Sequence, residues 1–560
     1  MNFRDVGLPQ RLGPLVGSLL ILALVMLRLY LTADRDIAAL DAPHDEFWYV
    51  YKAYTGVWGG QYNELAFAHS PVYALWLEFL NTYGIPARLG IDIAWIGAVL
   101  ILVNAVRKFT ESRFASLILA GFLLLHPYSI FIFDRSLAET LLGVTVAISI
   151  AAGLEIWTCR NAGMSTRRAA LIAGFTVMFA VSYAMRKEGI SLIAPLVLLA
   201  GVTLLFRKFW WSRTRTNPSL GTVYFVLPVF AAICLTLALS TLNYAKWGTF
   251  APYDLANSGY KSAVAALSGI DTGRTPLQVS VTSQMLKEGY AVSPTLRELR
   301  PQMDGPVGSQ WIDLSTSIGA DGEIGSGWFY WALRDAAARA GWHATAVMAD
   351  EKYQAAANEI NAAFENGVLK QRQSLASSFL DPDVGKWLPS LPNSFVKIVR
   401  LSVLPLVSDV VLPKENATQL QFDTYVRVVG RRSPMSTPSN SSGTAYLADG
   451  MRKQLVQVSQ ILSVALLIGL LLGILSALLL RKLDHVWMAA CICLLFCMTR
   501  IALFALLDAS SWNGEQARYM LPLLPLFGCA GVLGIAVLLD QSRTASLLAR
   551  FRLSSRHERS

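Results

Sequence analysis

Long apolar stretches of roughly 20 residues run through this chain, and a helix of that length spans about 30 Å of hydrocarbon. Such stretches must bury their backbone hydrogen bonds within helices, because lipid offers none. With 54% of its 560 residues hydrophobic and 15% charged, the chain is predicted to be an all-α polytopic membrane protein of about ten transmembrane helices. The stretches begin near Leu15, Arg88, Phe114, Leu137, Ala169, Ile190, Gly221, Val456, His485 and Ala517.

The connections between these stretches alternate in charge, and the positive-inside rule converts that alternation into an orientation. It predicts both termini in the cytoplasm and the acidic connections outside. The net charge of +10 then follows from topology and from attraction to anionic membrane lipids, so nucleic-acid binding is not predicted. The basic cytoplasmic connections are 107–113, 159–168, 207–215, 481–485 and the tail after Asp540.

The spacing of the stretches divides the chain into regions with different environments. We call residues 244–455 the outer segment, because they lie between the seventh and eighth spans on the outside. The regions are 1–243 with spans 1–7 and catalytic outer loops, 244–455 as an extracytoplasmic segment, 456–540 with spans 8–10, and 541–560 as a basic cytoplasmic tail.

The outer segment is predicted to be largely helical. Residues 326–369 are rich in Ala, Glu, Lys and aromatics at helical spacing, which predicts two amphipathic helices joined near Gly341. Residues 431–450 are rich in Ser, Pro and Gly and are predicted to form a flexible linker.

The first outer loop carries two adjacent acids, Asp45 and Glu46, close to the end of a membrane span. Ionised side chains are costly near hydrocarbon and tend to be functional there. The plain alternative is an acid pair in the first turn of a helix, which the macrodipole favours. A third acid, Glu139, lies early in a later span, and its plain alternative is pairing with Arg135, four residues before it on one helical face.

These acids belong to a pattern that resembles the GT-C class of polyprenyl-phosphate-dependent membrane glycosyltransferases, in particular its protein mannosyltransferase-like and aminoarabinose-transferase-like members. The stretch 331–369 is similar to the outer segment of a little-characterised branch of these proteins. One position departs from the class, which has a lysine where this chain has His69. The matching motifs are Asp45-Glu46 with Tyr49, Trp58-Gly59-Gly60, His69-Ser70-Pro71, Tyr83-Gly84 through Arg88, His126-Pro127 with Glu139, Arg186-Lys187-Glu188, and Arg518-Tyr519.

The resemblance implies a GT-C-like enzyme of the cell envelope, in a bacterial inner membrane, with a periplasm-facing active site. Its donor substrate would be a polyprenyl-phosphate sugar and its acceptor a glycan, lipid or protein, with inversion at the anomeric carbon. Asp45 would be the base, and Glu46 or Glu139 would position the acceptor or a divalent metal ion. The residues implied to bind donor phosphate or substrate are His69, Arg135, Arg186, Lys187, Glu188, Arg518 and Tyr519.

Two other classes of protein fit the same spans. A lipid or solute transporter would place charged residues at helix ends, but would be expected to show polar or broken helices near mid-membrane. A non-catalytic membrane scaffold could use the outer segment to bind partners. The acidic first loop favours the enzyme over both.

Overall fold

The computed structural model describes residues 12–38, 45–159, 165–205, 218–256, 258–273, 275–320, 322–372, 384–406, 418–430 and 450–557. Regular structure in these ranges is helical, and the β-pairing found within them is an isolated bridge between Ile270 and Gln371. The prediction of an all-α membrane protein is therefore confirmed. Residues 1–11, 207–215 and 431–449, which carry predicted basic and linker segments, lie outside the described ranges.

Described helices of five residues or more are labelled α1 to α20 in chain order. The first ten are α1 Leu12–Thr32, α2 Asp45–Thr55, α3 Pro71–Thr82, α4 Ala87–Thr110, α5 Arg113–Leu125, α6 Pro127–Phe131, α7 Ala138–Thr158, α8 Thr166–Met185, α9 Ile190–Leu205 and α10 Pro218–Trp247. The others are α11 Ser258–Ser268, α12 Ser283–Val292, α13 Pro306–Ser315, α14 Ser326–Arg339, α15 Ala346–Glu365, α16 Leu391–Val403, α17 Gln419–Val429, α18 Arg452–Leu479, α19 His485–Ser510 and α20 Leu523–His557.

Eight helices in the described ranges are long and apolar enough to cross a membrane, and a bent helix pair would make nine. These nine correspond to nine of the ten predicted stretches. The remaining stretch forms α9, which has 16 described residues and is shorter than a full span. The exact count of ten and the orientation in the membrane remain predictions.

The bent pair joins α5 to α6 and the short turn after it, with an angle of 43° at the break. Pro127 has no N–H to continue the helix, and it holds His126 in an extended conformation at φ −63°, ψ 130°. The His126 ring caps the new helix by accepting from the Tyr128 N–H at 3.2 Å. The chain then turns into α7, which places Arg135 and Glu139 at the end of the bundle that carries the outer segment, here called the outer end.

Three arginines and two aspartates form a buried network where α1, α4 and the bent pair meet. Arg28 Nη2 donates to Asp92 Oδ1 at 2.7 Å, and Arg88 pairs with the other oxygen of the same carboxylate. Arg88 Nε and Arg35 Nε also donate to Asp134, at 2.9 and 2.7 Å. Because each carboxylate joins two guanidinium groups, the network ties these helices together.

Two spans of the C-terminal half touch backbone to backbone. A Cβ on Gly473 of α18 would lie 2.3 Å from the carbonyl oxygen of Gly534 in α20, and one on Gly534 would lie 2.4 Å from the Cα of Leu470. Small residues favour such close approach of membrane helices. Glycines thus set the packing of α18 against α20.

The outer segment contains α11 to α17, of which α11 to α15 share a hydrophobic core of their own. The buried apolar residues of α16 and α17 belong to the core of the membrane helices. The predicted helix pair is confirmed: α14 and α15 are separated by Gly341, whose φ of +82° ends the first helix in the left-handed region. Trp48 of α2 and Ala68 of the first outer loop belong to the core that α11 to α15 share. The first outer loop and the outer segment are therefore packed together.

Candidate active site

The acid pair of the first outer loop opens a helix, since α2 begins at Asp45. The side chain of Asp45 lies outside the described part of the structure. Glu46 is fully buried, and its Oε1 accepts from Arg135 Nε at 2.6 Å. Its Oε2 has no hydrogen-bond partner among the described residues. The two acids therefore do lie in the first turn of a helix, as the plain alternative predicts. Glu46 is in addition held in a buried ion pair with Arg135.

The alternative pairing of Arg135 with Glu139 is wrong. Arg135 has an extended backbone, at φ −114° and ψ 139°, and α7 begins only at Ala138. The two residues therefore do not share a helical face. Arg135 turns to Glu46 instead, which connects the first and second outer loops.

Glu139 lies in the first turn of α7 and is fully buried. Its Oε1 is 3.3 Å from Arg186 Nη1 and 3.9 Å from Arg518 Nε. Neither carboxylate oxygen has a hydrogen bond within the described part of the chain. Three predicted residues from distant parts of the sequence therefore meet at one carboxylate whose hydrogen-bonding capacity is unused.

Arg186 and Glu188 form a two-pronged ion pair beside Glu139. Arg186 Nη2 and Nε donate to the two Glu188 oxygens at 2.9 and 3.0 Å. Burial raises the pKa of Glu188, but the charge and hydrogen bonds of Arg186 outweigh it and lower that pKa to about 2. For Arg186 the directions are reversed: burial lowers its pKa, but the charges of Glu139 and Glu188 raise it well above its ordinary value. Both groups stay charged at neutral pH.

The turn before α20 supplies Arg518 and Tyr519. Arg518 Nη2 donates to the Tyr519 hydroxyl at 3.1 Å, and its Nε donates to Gln516 Oε1 at 2.8 Å. The Tyr519 ring stacks on Phe504 at a centroid distance of 4.6 Å. Arg500 of α19 donates to the Tyr519 carbonyl oxygen at 3.1 Å. Two residues of α19 thus fix the position of this turn.

His69 lies in an aromatic wall beside the carboxylates. Its ring stacks on Tyr49 at 4.7 Å and lies 5.3 and 5.2 Å from the rings of Trp48 and Trp331. Lys187 Nζ lies 4.8 Å from the Trp331 ring centroid, a cation–π distance. Trp331 belongs to α14, so the outer segment contributes to this wall.

Lys52 places an amino group next to position 69, where the resembling class has a lysine. Its Nζ donates to the His69 carbonyl oxygen at 2.8 Å. Burial lowers the pKa of Lys52 to about 7, against the attraction of Asp254. An amine that takes up a proton near neutral pH therefore lies beside His69, although it comes from α2.

The described charges of the cluster do not balance. Four arginines face three glutamates, which gives a net charge of +1. Buried guanidinium groups hold phosphate and carboxylate groups well, and an excess of positive charge favours an anionic ligand. The members are Arg135, Arg186, Arg500 and Arg518 with Glu46, Glu139 and Glu188.

A divalent metal ion would have to share its carboxylates with arginines. Within the described ranges, no group of three His, Cys, Asp or Glu side chains could hold a metal ion. Glu46 and Glu139, the predicted metal-positioning acids, each face a guanidinium group. The described donor set does not fit a resident metal, and the metal requirement stays a prediction.

Sequence reasoning missed Arg500, Lys52 and Trp331. Arg500 had a usable signal, because a lone arginine within an apolar stretch is a functional candidate by default. Lys52 and Trp331 had none, since their neighbours come from other parts of the chain. The site is thus larger than its motifs.

Two solved structures are similar to this chain. One is ArnT from Cupriavidus metallidurans bound to undecaprenyl phosphate, 13% identical, with 93% of this chain and 77% of that chain covered and a TM-score of 0.31. The other is the same protein in the apo state, 14% identical, with coverages of 93% and 78% and a TM-score of 0.31. No family model and no curated protein matches the chain. A TM-score of 0.31 does not establish a shared fold.

Asp254 gives the protein a pH-dependent stability that can be measured. Burial raises the pKa of Asp254 to about 6, although Arg334, Lys52 and Lys187 oppose the shift. From its unfolded pKa near 4 up to about pH 6, the folded state keeps a proton that the unfolded state releases. The contribution of this group to stability is therefore full below pH 4 and lost as the pH rises through 6.

We expect Asp254→Asn to flatten the change in unfolding temperature between pH 4 and 6. Thermal unfolding of the purified protein in detergent would show it, with Asp313→Asn, an exposed carboxylate of the outer segment, keeping the slope of the wild type. An unchanged slope in Asp254→Asn would contradict the expectation.

Proposed function

We propose that this integral membrane protein is a GT-C-like glycosyltransferase, which moves a sugar from a polyprenyl-phosphate donor to a lipid, glycan or protein acceptor. The observation that carries the proposal is the buried Glu139 carboxylate facing Arg186 and Arg518. Its two oxygens lack hydrogen bonds among the described residues, and the surrounding charges are net positive. Such a site combines groups that handle protons with groups that hold a phosphate.

The proposed reaction is a direct displacement at the anomeric carbon. Asp45 takes the proton of the acceptor hydroxyl, whose oxygen bonds to the anomeric carbon. The bond from that carbon to the phosphate oxygen breaks, and its electron pair stays on the phosphate. The phosphate changes from a diester with one negative charge to a monoester, which gains a second. Arg186 and Arg518 would stabilise that added charge.

Glu46 and Glu139 are proposed to position the acceptor, and His69, Arg135, Lys187, Glu188 and Tyr519 to shape the donor site. A displacement of this kind inverts the anomeric configuration. A product with retained configuration would contradict the mechanism.

The orientation is part of the same proposal. Basic connections predict cytoplasmic termini and an active site on the periplasmic side of a bacterial inner membrane. The outer ends of α7 and α8 carry Glu139 and Arg186, near the start of α20 with Arg518. A lipid-linked donor would approach such a site from the membrane.

Binding of the lipid phosphate tests the proposal. We expect Arg518→Gln to weaken binding of undecaprenyl phosphate about 10- to 100-fold, because a hydrogen bond to a charged group contributes about 1.5–3 kcal/mol. Titration of the purified protein in detergent would measure it. Arg339→Gln, on an exposed part of the outer segment, is the matched control and should bind as the wild type does.

The function itself is tested by incubating the wild type with polyprenyl-phosphate sugars and candidate acceptors. Release of polyprenyl phosphate coupled to acceptor glycosylation is the expected result. A wild type that neither binds the lipid nor transfers sugar would contradict the proposal. Lipid movement in proteoliposomes without transfer would favour the transporter instead.

A further inference from the structure

A glycine of the outer segment, Gly327, packs against residues 511 and 512, which follow α19. The N–H of Gly327, in the first turn of α14, donates to the Ser511 carbonyl oxygen at 3.0 Å. A Cβ on Gly327 would lie 1.4 Å from Cε3 of Trp512. The rings of Trp328 and Trp512 meet edge to face at 5.9 Å. Any larger residue at 327 would therefore displace Trp512 or lift α14.

A second contact secures the same junction. Gln278 Nε2 donates to the Asp508 carbonyl oxygen at 2.6 Å, while the Gln278 carbonyl oxygen accepts from the Ser326 N–H at 2.7 Å. Asp508 Oδ1 accepts from the Gly514 N–H at 3.1 Å. The outer segment thus contacts residues 508–514 at two points, through Gly327 and through Gln278.

Trp512 passes this contact on to the candidate active site. Its Nε1 donates to the Tyr519 hydroxyl at 2.9 Å. The same hydroxyl oxygen accepts from Arg518 Nη2 at 3.1 Å, and Arg518 Nε lies 3.9 Å from Glu139 Oε1. An unbroken series of contacts therefore runs from Gly327 to the Glu139 carboxylate.

We propose that Trp512 is a positioning residue: seated by the outer segment at Gly327, it fixes the Tyr519 hydroxyl and, through it, the Arg518 guanidinium opposite Glu139. The inference rests on the proposed function for its kinetic test. The physical reason is geometric, because a displacement of about 1 Å at a reacting group can lower a rate about 100-fold. The outer segment then helps to complete the active site.

A double-mutant cycle tests the bond from Trp512 to Tyr519. Trp512→Phe keeps a ring but removes the donor, and Tyr519→Phe removes the acceptor. We expect each variant to lower kcat for sugar transfer about 10- to 100-fold, with a smaller change in KM. The double variant should have the same kcat as the less active of the two single variants. A structural role alone would lower the folded fraction and leave kcat per folded molecule unchanged. Additive losses, or unchanged kcat, would overturn the inference.

Hydrogen–deuterium exchange tests the junction without any transfer assay. We expect Gly327→Ala to speed amide exchange over residues 508–519 at least 10-fold, and Gly153→Ala to leave it unchanged, since a Cβ at 153 meets nothing within 4 Å. Trp512→Phe serves the same measurement if Gly327→Ala does not fold. Wild-type exchange rates in the Gly327 variant, or in Trp512→Phe if that one is used, would overturn the inference. If exchange rises as expected but the wild type transfers no sugar, the proposed function fails instead.

Discussion

Asp45→Asn should lower kcat for sugar transfer by about 10²- to 10⁴-fold, the range that a general base contributes. Asparagine has nearly the same size but cannot accept the proton of the acceptor hydroxyl. Asp45 is the first residue of α2, and the next residue, Glu46, is held by Arg135. Because Glu46 is committed to that ion pair, Asp45 is the better candidate for proton transfer. Initial rates at saturating donor, measured over a range of pH, would give kcat.

The control for this prediction is Asp313→Asn, which changes an exposed carboxylate of the outer segment and should leave kcat unchanged. A wild-type kcat in Asp45→Asn would remove the base role from Asp45. If Glu139→Gln then lost activity by the same factor, the base would be Glu139. If both variants lost activity equally, the dependence of kcat on pH would tell them apart. Ionisation of the base makes kcat rise with pH, and this rise is absent when the base is replaced by its amide.

The sequence allowed the spans and the outer helices to be predicted because both follow from local patterns. An apolar stretch of membrane length and a helical period are properties of neighbouring residues. The break at Gly341 was predictable for the same reason, since glycine readily takes the positive φ that ends α14. Local patterns thus determined where helices lie.

Charge pairing could not be predicted in the same way. The spacing of Arg135 and Glu139 suggested one helical face, but the chain is still extended at Arg135 after the bend at Pro127. Arg135 therefore reaches Glu46, about 90 residues earlier in the sequence. Which guanidinium meets which carboxylate depends on how loops from separate spans meet at the outer end, and spacing along one helix carries no information on that.

The buried network between α1 and α4 is a second case in which the sequence did not reveal the role of a charged residue. Asp134 lies directly before Arg135 in the sequence, and it accepts hydrogen bonds from Arg35 and Arg88. Its neighbours give it a structural role. The role of a carboxylate at the outer end is therefore inferred from its partners. The partners of Glu139 are among the residues proposed to bind the donor phosphate.

Asp92→Asn should lower the free energy of unfolding by about 3–5 kcal/mol, the usual effect of removing one partner from a buried ion pair. Arg28 and Arg88 both bond to this carboxylate, and all three side chains are buried. The amide carries no charge and offers one acceptor oxygen where the carboxylate offers two. The network of three arginines and two aspartates would pass from a net charge of +1 to +2 without new solvent. Denaturant or thermal unfolding in detergent micelles would measure the loss.

The matched control is Asp540→Asn, which removes the partner of Lys482 in an exposed pair of 2.6 Å. Exposed pairs contribute about 0–1 kcal/mol because water and salt screen them, so this variant should unfold close to the wild type. Adding salt should narrow the small difference at Asp540 and leave the large one at Asp92, since buried charges are screened little. A loss at Asp92 as small as that of the control would mean that Arg28 and Arg88 remain hydrated in the folded protein. The network would then lie in the headgroup layer, where guanidinium groups need no carboxylate to stay charged.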